Sequence, residues 1–243
     1  MATIRCRAMA DVHDNNTSQQ RKRSRVRKII SGGQTGTDQA ALRAAIDAGL
    51  DIGGWCPPTK TCEAGLIPVV LSQHLWPTPT EKSPRAPPNV ERSLRTEWNV
   101  RDSDATLIFR LGCMPTSRDC PGTQWTLDCA RLLYPSRKIK IIELDAASNL
   151  EFDPINALEN DDKIGRDMTA SLREGGPCAG RIESAAGFAS KVKYIEKWLE
   201  IEASQVETLN VAGPSEKLHP GISNHVYDML SAVFSEEKSG QRL

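Results

Sequence analysis

Apolar positions recur along this chain in two alternating forms. Short continuous runs occur at Ile29-Ile30, 50–52, 105–109, 140–144 and 208–212. Such runs, bounded by glycine, proline or polar residues, are the form a buried parallel strand takes. Between them lie stripes at helical spacing. Ala40, Ala41, Ala44, Ala45 and Ala48, with Leu42 and Ile46, predict a helix over 39–48, and Gly49 stands where a C-cap glycine belongs. Phe188, Val192, Ile195, Trp198 and Leu199 predict a helix over 186–201. Further helices are expected at 93–103 with Ser93 as N-cap, at 123–133, and at 221–234. Alternating strands and helices predict a mostly parallel sheet of about five strands, covered by helices on both faces.

The pattern fails in two internal places. Residues 77–88 hold five prolines, at 77, 79, 84, 87 and 88, which exclude a regular helix or central strand and predict a surface insertion with polyproline character. Residues 146–185 are weakly patterned and read as a second insertion. The chain is therefore read as a Rossmann-like, doubly wound α/β domain over 28–235, with insertions near 74–92 and 146–185. A leading tail of 1–27, expected to be disordered, and a C-terminal tail of 236–243 flank it. The leading tail runs into Arg21-Lys22-Arg23-Ser24-Arg25-Val26-Arg27-Lys28, six basic residues in eight. That run fits a nuclear signal or a nucleic-acid arm, and equally a solvated leader.

Composition narrows the function classes. Lys+Arg and Asp+Glu both number 31, a zero balance that argues against a general nucleic-acid or membrane-surface binder. No run of 18 apolar residues is present to span a bilayer. The N-terminal stretch lacks a signal-peptide apolar core, and Asp11 and Asp14 count against a transit peptide, so a cytoplasmic location is expected, with a nuclear one open through the basic run. Seven cysteines, odd in number and with no C-x-x-C pair, predict reduced thiols rather than a zinc site or disulfide framework.

The candidate chemistry lies in loops. Parallel sheets of this type bind ligands at the carboxyl ends of their strands, where loops 31–37, 120–123 and 212–215 should sit. In the first, Gly32, Gly33 and Gly36 allow close backbone approach, Gln34, Thr35 and Thr37 offer side-chain donors, and a helix N-terminus follows. This suits an anion, phosphate above all. It is neither a Walker A loop nor G-x-G-x-x-G. A tight strand-to-helix turn capped by Thr37 or Asp38 is the alternative. Gly122-Thr123 repeats the arrangement, although Thr123 also fits an ordinary N-cap. On the helix over 93–103, Arg95, Asn99 and Asp102 share one face, suited to an anion or a pterin-like ring; the alternative is a surface helix with a Glu97–Arg101 pair at i,i+4 spacing. His219 and His225 are either acid/base groups or surface residues. No Ser-His-Asp arrangement or metal cluster is legible, and no catalytic residue is assigned.

Ser31-Gly32-Gly33-Gln34-Thr35-Gly36-Thr37-Asp38, Gly53-Gly54-Trp55-Cys56-Pro57, Arg95-Thr96-Glu97-Trp98-Asn99-Val100-Arg101-Asp102-Ser103-Asp104 and Leu209-Asn210-Val211-Ala212-Gly213-Pro214 with Pro220-Gly221 resemble the molybdenum carrier (molybdenum cofactor carrier protein) family. The resemblance runs in order from about 28 to 234. It implies a Rossmann-like fold shared with lysine-decarboxylase-like nucleotide-binding proteins. It further implies a homo-oligomer that binds molybdenum cofactor as cargo, protects it and passes it to molybdoenzymes. By the same resemblance the cofactor and its phosphate lie against loops 32–37, 122–123 and Gly213-Pro214, with Arg95 and Asn99 nearby. The segment after Cys56, usually more basic in the family, keeps only Lys60. Pro121-Gly122 stands where the family has two glycines, and Ser215 where an Arg is common. Two other readings remain: a hydrolase of the phosphoribohydrolase kind acting on a nucleotide, with Glu97, Asp102 or Asp38 as its carboxylate, and a nucleotide-binding sensor.

Overall fold

The computed structural model describes residues 25–111, 121–144 and 184–235. The elements in chain order begin with β1 (Lys28–Ile30), α1 (Thr37–Ala48) and β2 (Asp51–Gly53). Four short strands and one helical turn follow: β3 (Trp55–Cys56), β4 (Thr61–Cys62), β5 (Gly65–Leu66), α2 (Val69–Ser72) and β6 (Trp76–Pro77). Then come α3 (Ser93–Arg101), β7 (Ala105–Leu111) and α4 (Pro121–Asp128), which continues as a π-helical turn over Cys129–Leu133. The chain closes with β8 (Lys138–Leu144), α5 (Ala185–Ile201), β9 (Thr208–Ala212) and α6 (Ile222–Ser235). Among the described residues no helix is long and apolar enough to cross a membrane.

Five strands form one parallel sheet in the order β2-β1-β9-β7-β8. The expected α/β, doubly wound architecture is thus present. The last strand in sequence, β9, lies in the middle. Counted from β9, the order becomes 3-2-1-4-5, that of a dinucleotide-binding sheet. The chain therefore follows that topology from a different starting point. The switch in strand order falls between β9 and β7, and a ligand crevice belongs at their carboxyl ends.

Helices α1, α5 and α6 cover one face, where α1 and α5 each pack on α6; α3 and α4 pack together on the other, as right-handed crossovers in opposite directions require. Ala40, Ala41, Ala44 and Ala45 bury α1 closely among Ile29, Leu209, Val226 and Leu230, since small side chains let it approach sheet and helix alike. Alternate residues of β7 (Ala105, Leu107, Phe109, Leu111) join this cluster, while Thr106 and Ile108 between them are also buried. The strand reads as one apolar run because both of its faces are covered. On the other face Val90, Val100, Trp125, Cys129 and Ala130 form a smaller cluster. Burial pushes the Cys129 thiol far up, so it behaves as a small apolar side chain.

Several boundaries differ from expectation. Ser93 does not cap α3: Arg92 holds the cap position at φ 53°, and Ser93 is the first helical residue, its Oγ accepting from the Ser83 N–H at 2.9 Å. The predicted helix over 123–133 begins at Pro121 and ends in the π-turn. Residues 25–27, read above as the end of the tail, pack against the β9 approach: Val26 is buried and the Arg27 N–H donates to the Glu207 carbonyl. The rest of the leading tail, nearly all of the 146–185 insertion and the C-terminal tail lie outside the described residues.

Candidate functional site

A cleft of about 470 Å³ opens at the carboxyl edge of the sheet, where the strand order switches. Its floor is the end of β9, from Asn210 to Ala212, running into Gly213. One wall is the first glycine loop and α3, through Gly32, Gln34, Asp38, Arg95 and Asn99. The opposite side is the start of α4, with Gly122 and Thr123. Residues 88–92, the end of the proline-rich insertion, form part of the rim, as do Ser215, Lys217 and Leu218. All three loops expected on this edge therefore meet at one place.

The first loop is built by glycines at positions that reject a side chain. Gly32 carries the Arg95 guanidinium against its α-carbon; a Cβ there would lie 1.5 Å from Nη1. Gly36 has φ 83°, and its Cβ would meet backbone atoms of 214–216, the nearest 2.5 Å away. The loop after β1 thus docks directly on the loop after β9. Thr37 seals the contact, its N–H and Oγ both donating to the Pro214 carbonyl at 3.1 and 3.0 Å. Part of the α1 N-terminus is capped by the protein itself, through Gly36 and Pro214 rather than through a Thr37 or Asp38 side-chain cap. Gly33 faces elsewhere, towards Ile67 and Leu75. Gly33, Gly36, Thr37 and Pro214 shape the wall behind the cleft and do not line it, and Thr35 stands behind Glu63, its Oγ1 on that carboxylate.

On α3, Arg95, Thr96 and Asn99 line the cleft, and Arg95 brings the charge. Its Nη1 donates to Asp38 Oδ2 at 2.8 Å, while the Nε–H is buried with no hydrogen-bond partner among the described residues. A buried donor without a partner is costly. Asp38 Oδ2 also accepts from the Gln34 N–H at 3.1 Å, which ties loop, helix and arginine together. Asn99 does different work. Its amide forms a double hydrogen bond with the Trp55 backbone, Oδ1 accepting at 2.7 Å and Nδ2 donating at 3.0 Å, so it fixes the loop after β2. Trp55 in turn stacks edge-on against Trp98 at 4.6 Å and donates Nε1–H to Asp102. Arg101 covers Trp98 and pairs with Asp102, whose carboxyl it holds below the usual range.

Glu97 does not pair with Arg101. It is fully buried and accepts from Ser83 Oγ, Arg85 Nη2 and Tyr134 OH, so it latches the proline-rich insertion onto α3. This latch positions residues 88–92 at the cleft. Lys60 stands away from the cleft, its ammonium on the Ser72 carbonyl at 2.8 Å at the end of α2. His219 is buried rather than on the surface, and burial pushes its pKa down. His225 packs its ring edge-on against Phe188.

Sequence reasoning missed Glu63, Lys217 and Asn210 at the cleft. Glu63 occupies the turn of the β4–β5 hairpin, two-residue strands too short to leave an alternating pattern. Asn210 had a signal: a buried amide between Leu209 and Val211 in the central strand, donating Nδ2 to Thr106 Oγ1 at 3.3 Å.

The circularly permutated YpsA SLOG family matches residues 29–176, more than half of the chain. A solved structure named "Putative molybdenum carrier protein", from Syntrophus aciditrophicus SB, is similar at 26% identity and a TM-score of 0.57, covering 86% of this chain and 96% of that one. No curated protein matches. The sheet order, which becomes 3-2-1-4-5 only when counted from β9, gives the family's permutation a concrete meaning in the fold. This chain belongs to the circularly permutated YpsA SLOG family.

Proposed function

We propose that the cleft holds a phosphate-bearing small molecule, that this molecule is molybdenum cofactor, and that the protein carries it unchanged to molybdoenzymes. The observation that carries the reading is the Arg95 guanidinium, seated on Gly32 at the topological switch point with a buried Nε–H that has no partner among the described residues. A guanidinium in that setting suits an oxyanion, and Arg92 and Lys217 add positive charge at the rim. Gly122, Thr123 and Gly213 supply backbone that a ligand can approach; a Cβ at Gly122 would meet nothing within 4 Å among the described residues. Gly33, Gly36, Thr37 and Pro214 serve by locking the two glycine loops together, and Asn99 by holding the Trp55 loop. Residues 88–92 would shield bound cargo from water. The similarity to a solved structure named as a molybdenum carrier protein supports the cofactor as that ligand. A carrier needs this enclosure and no reacting group; Glu97 and Asp102, two of the three carboxylates a hydrolase would draw on, are turned to structural partners. Homo-oligomeric assembly and a cytoplasmic location complete this reading.

The test is the content of protein purified from a cofactor-producing host, with molybdenum read by elemental mass spectrometry and pterin by fluorescence after oxidation. Both should be near stoichiometric, and both should be lost in Arg95→Met with the fold intact by circular dichroism. Metal-free protein that binds a nucleoside monophosphate, or releases its base, would move the assignment to the nucleotide-binding or hydrolase reading.

A further inference from the structure

Glu63 sits at the cleft edge in an unusual position for a carboxylate. It lies on the turn of the β4–β5 hairpin, and its two oxygens bridge the two docked loops. Oε2 accepts from Thr35 Oγ1 at 3.0 Å, on the loop after β1. Oε1 accepts from Ser215 Oγ at 3.0 Å, on the loop after β9. The hairpin is held there by the Glu63 N–H, which donates to Gln34 Oε1 at 2.7 Å. Ser215 is 8% exposed, yet its hydroxyl points at this carboxylate. Two hydroxyls from separate glycine loops thus converge on one anion, and that anion belongs to the protein.

We propose that Glu63 is an internal surrogate for the ligand's anionic group, so that ligand uptake is an exchange. A phosphate entering the cleft takes the Thr35 and Ser215 hydroxyls, and the β4–β5 hairpin carries Glu63 out. This inference rests on the phosphate-binding reading above and adds a control to the same site. Without ligand, the carboxylate satisfies the buried Ser215 hydroxyl and the half-buried Thr35 hydroxyl. The carboxylate competes with any incoming anion for the two hydroxyls, so oxyanions with fewer or weaker acceptor oxygens than phosphate are held less well. The turn has room for such movement: Leu66 is 77% exposed and a Cβ at Gly65 would meet nothing within 4 Å among the described residues, while Cys62 and Ile67 anchor the base of the hairpin in the core.

The experiment titrates inorganic phosphate at low ionic strength, followed by phosphorus NMR, into the full chain and three variants. Glu63→Gln keeps the size of the side chain and removes its charge, and should bind phosphate about fivefold more tightly than wild type. The gain should shrink as salt is added. Adding Thr35→Val and Ser215→Ala to Glu63→Gln should abolish the gain, because the hydroxyls that phosphate would capture are gone. Arg95→Met reports on the underlying reading, which requires weaker phosphate binding whatever residue stands at 63. Wild-type affinity that depends on Arg95 but is unchanged or weakened by Glu63→Gln would overturn the exchange and leave the phosphate reading standing. No phosphate binding by wild type or Glu63→Gln would overturn both.

Discussion

Replacing Gly36 by alanine tests how the two glycine loops are joined. The substitution has two costs. First, Gly36 has φ 83° and ψ −128°, outside the αL basin in a region populated by glycine, where a Cβ costs about 1–3 kcal/mol. Second, that Cβ would lie 2.5 Å from the Glu216 nitrogen and 2.7 Å from the Pro214 oxygen, both backbone atoms that cannot rotate away. Relief requires the loops to separate, which stretches the two hydrogen bonds from Thr37 to the Pro214 carbonyl, each contributing about 0.5–1.5 kcal/mol. The total is about 3 kcal/mol, a large share of a typical folding stability. Gly49 provides the control. Its φ is 78° with ψ 21°, the αL conformation that a side chain tolerates better than the ψ of −128° at Gly36, and its Cβ would meet nothing within 4 Å among the described residues. Gly49→Ala should therefore cost only the backbone strain of about 1–2 kcal/mol. Urea unfolding of both variants, with midpoints and slopes compared, measures the difference. Equal losses for the two, or a loss under about 1.5 kcal/mol for Gly36→Ala, would refute the claim that the loops are docked backbone to backbone.

Other perturbations follow from the same structure. Glu97→Ala leaves the Ser83 hydroxyl and Arg85 without their shared acceptor and opens a hole under the insertion; a loss of about 2–4 kcal/mol is expected in thermal unfolding, with increased proteolysis between 80 and 92. Asn99→Asp removes the donor to the Trp55 carbonyl and sets a carboxylate against it, at a cost of about 1–3 kcal/mol, with a change in tryptophan fluorescence from the Trp55–Trp98 pair. His219 contributes a pH dependence whose sign follows from its burial. Its folded pKa lies below 6.5, so as pH falls below 6.5 the unfolded chain takes up a proton that the folded chain refuses. Unfolding free energy should fall from pH 7 towards 5.5, and His219→Gln should flatten that slope.

Much of the fold was legible because its signals are local. The runs at 105–109 and 208–212 read as strands since both sheet faces are covered, and Gly49 ends α1 in the left-handed conformation its position implied. The three glycine-bearing loops were placed on one edge from the strand and helix alternation alone. The strand order was not readable, because placing β9 in the centre depends on long-range pairing with β1 and β7. The site was legible in part. Arg95 and Gly32 were singled out for separate reasons, and the structure shows that one is seated on the other. Thr37 and Asn99 carry donors of the right kind, but backbone carbonyls already take them. Which partner a donor finds depends on loops 40 to 180 residues away in the chain, beyond the reach of local pattern. Glu97 shows the same limit: helical spacing offers Arg101, yet burial turns it towards Ser83 and Arg85.

The most direct measurement is a crystal structure of the protein purified from a cofactor-producing host, with diffraction collected at the molybdenum absorption edge. The account predicts one molybdenum site per chain in the cleft at the carboxyl ends of β9 and β7, with the cofactor's phosphate within hydrogen-bond distance of the Arg95 guanidinium. Density for the cofactor elsewhere on the molecule, or a filled cleft in which Arg95 still touches only Asp38, would contradict it.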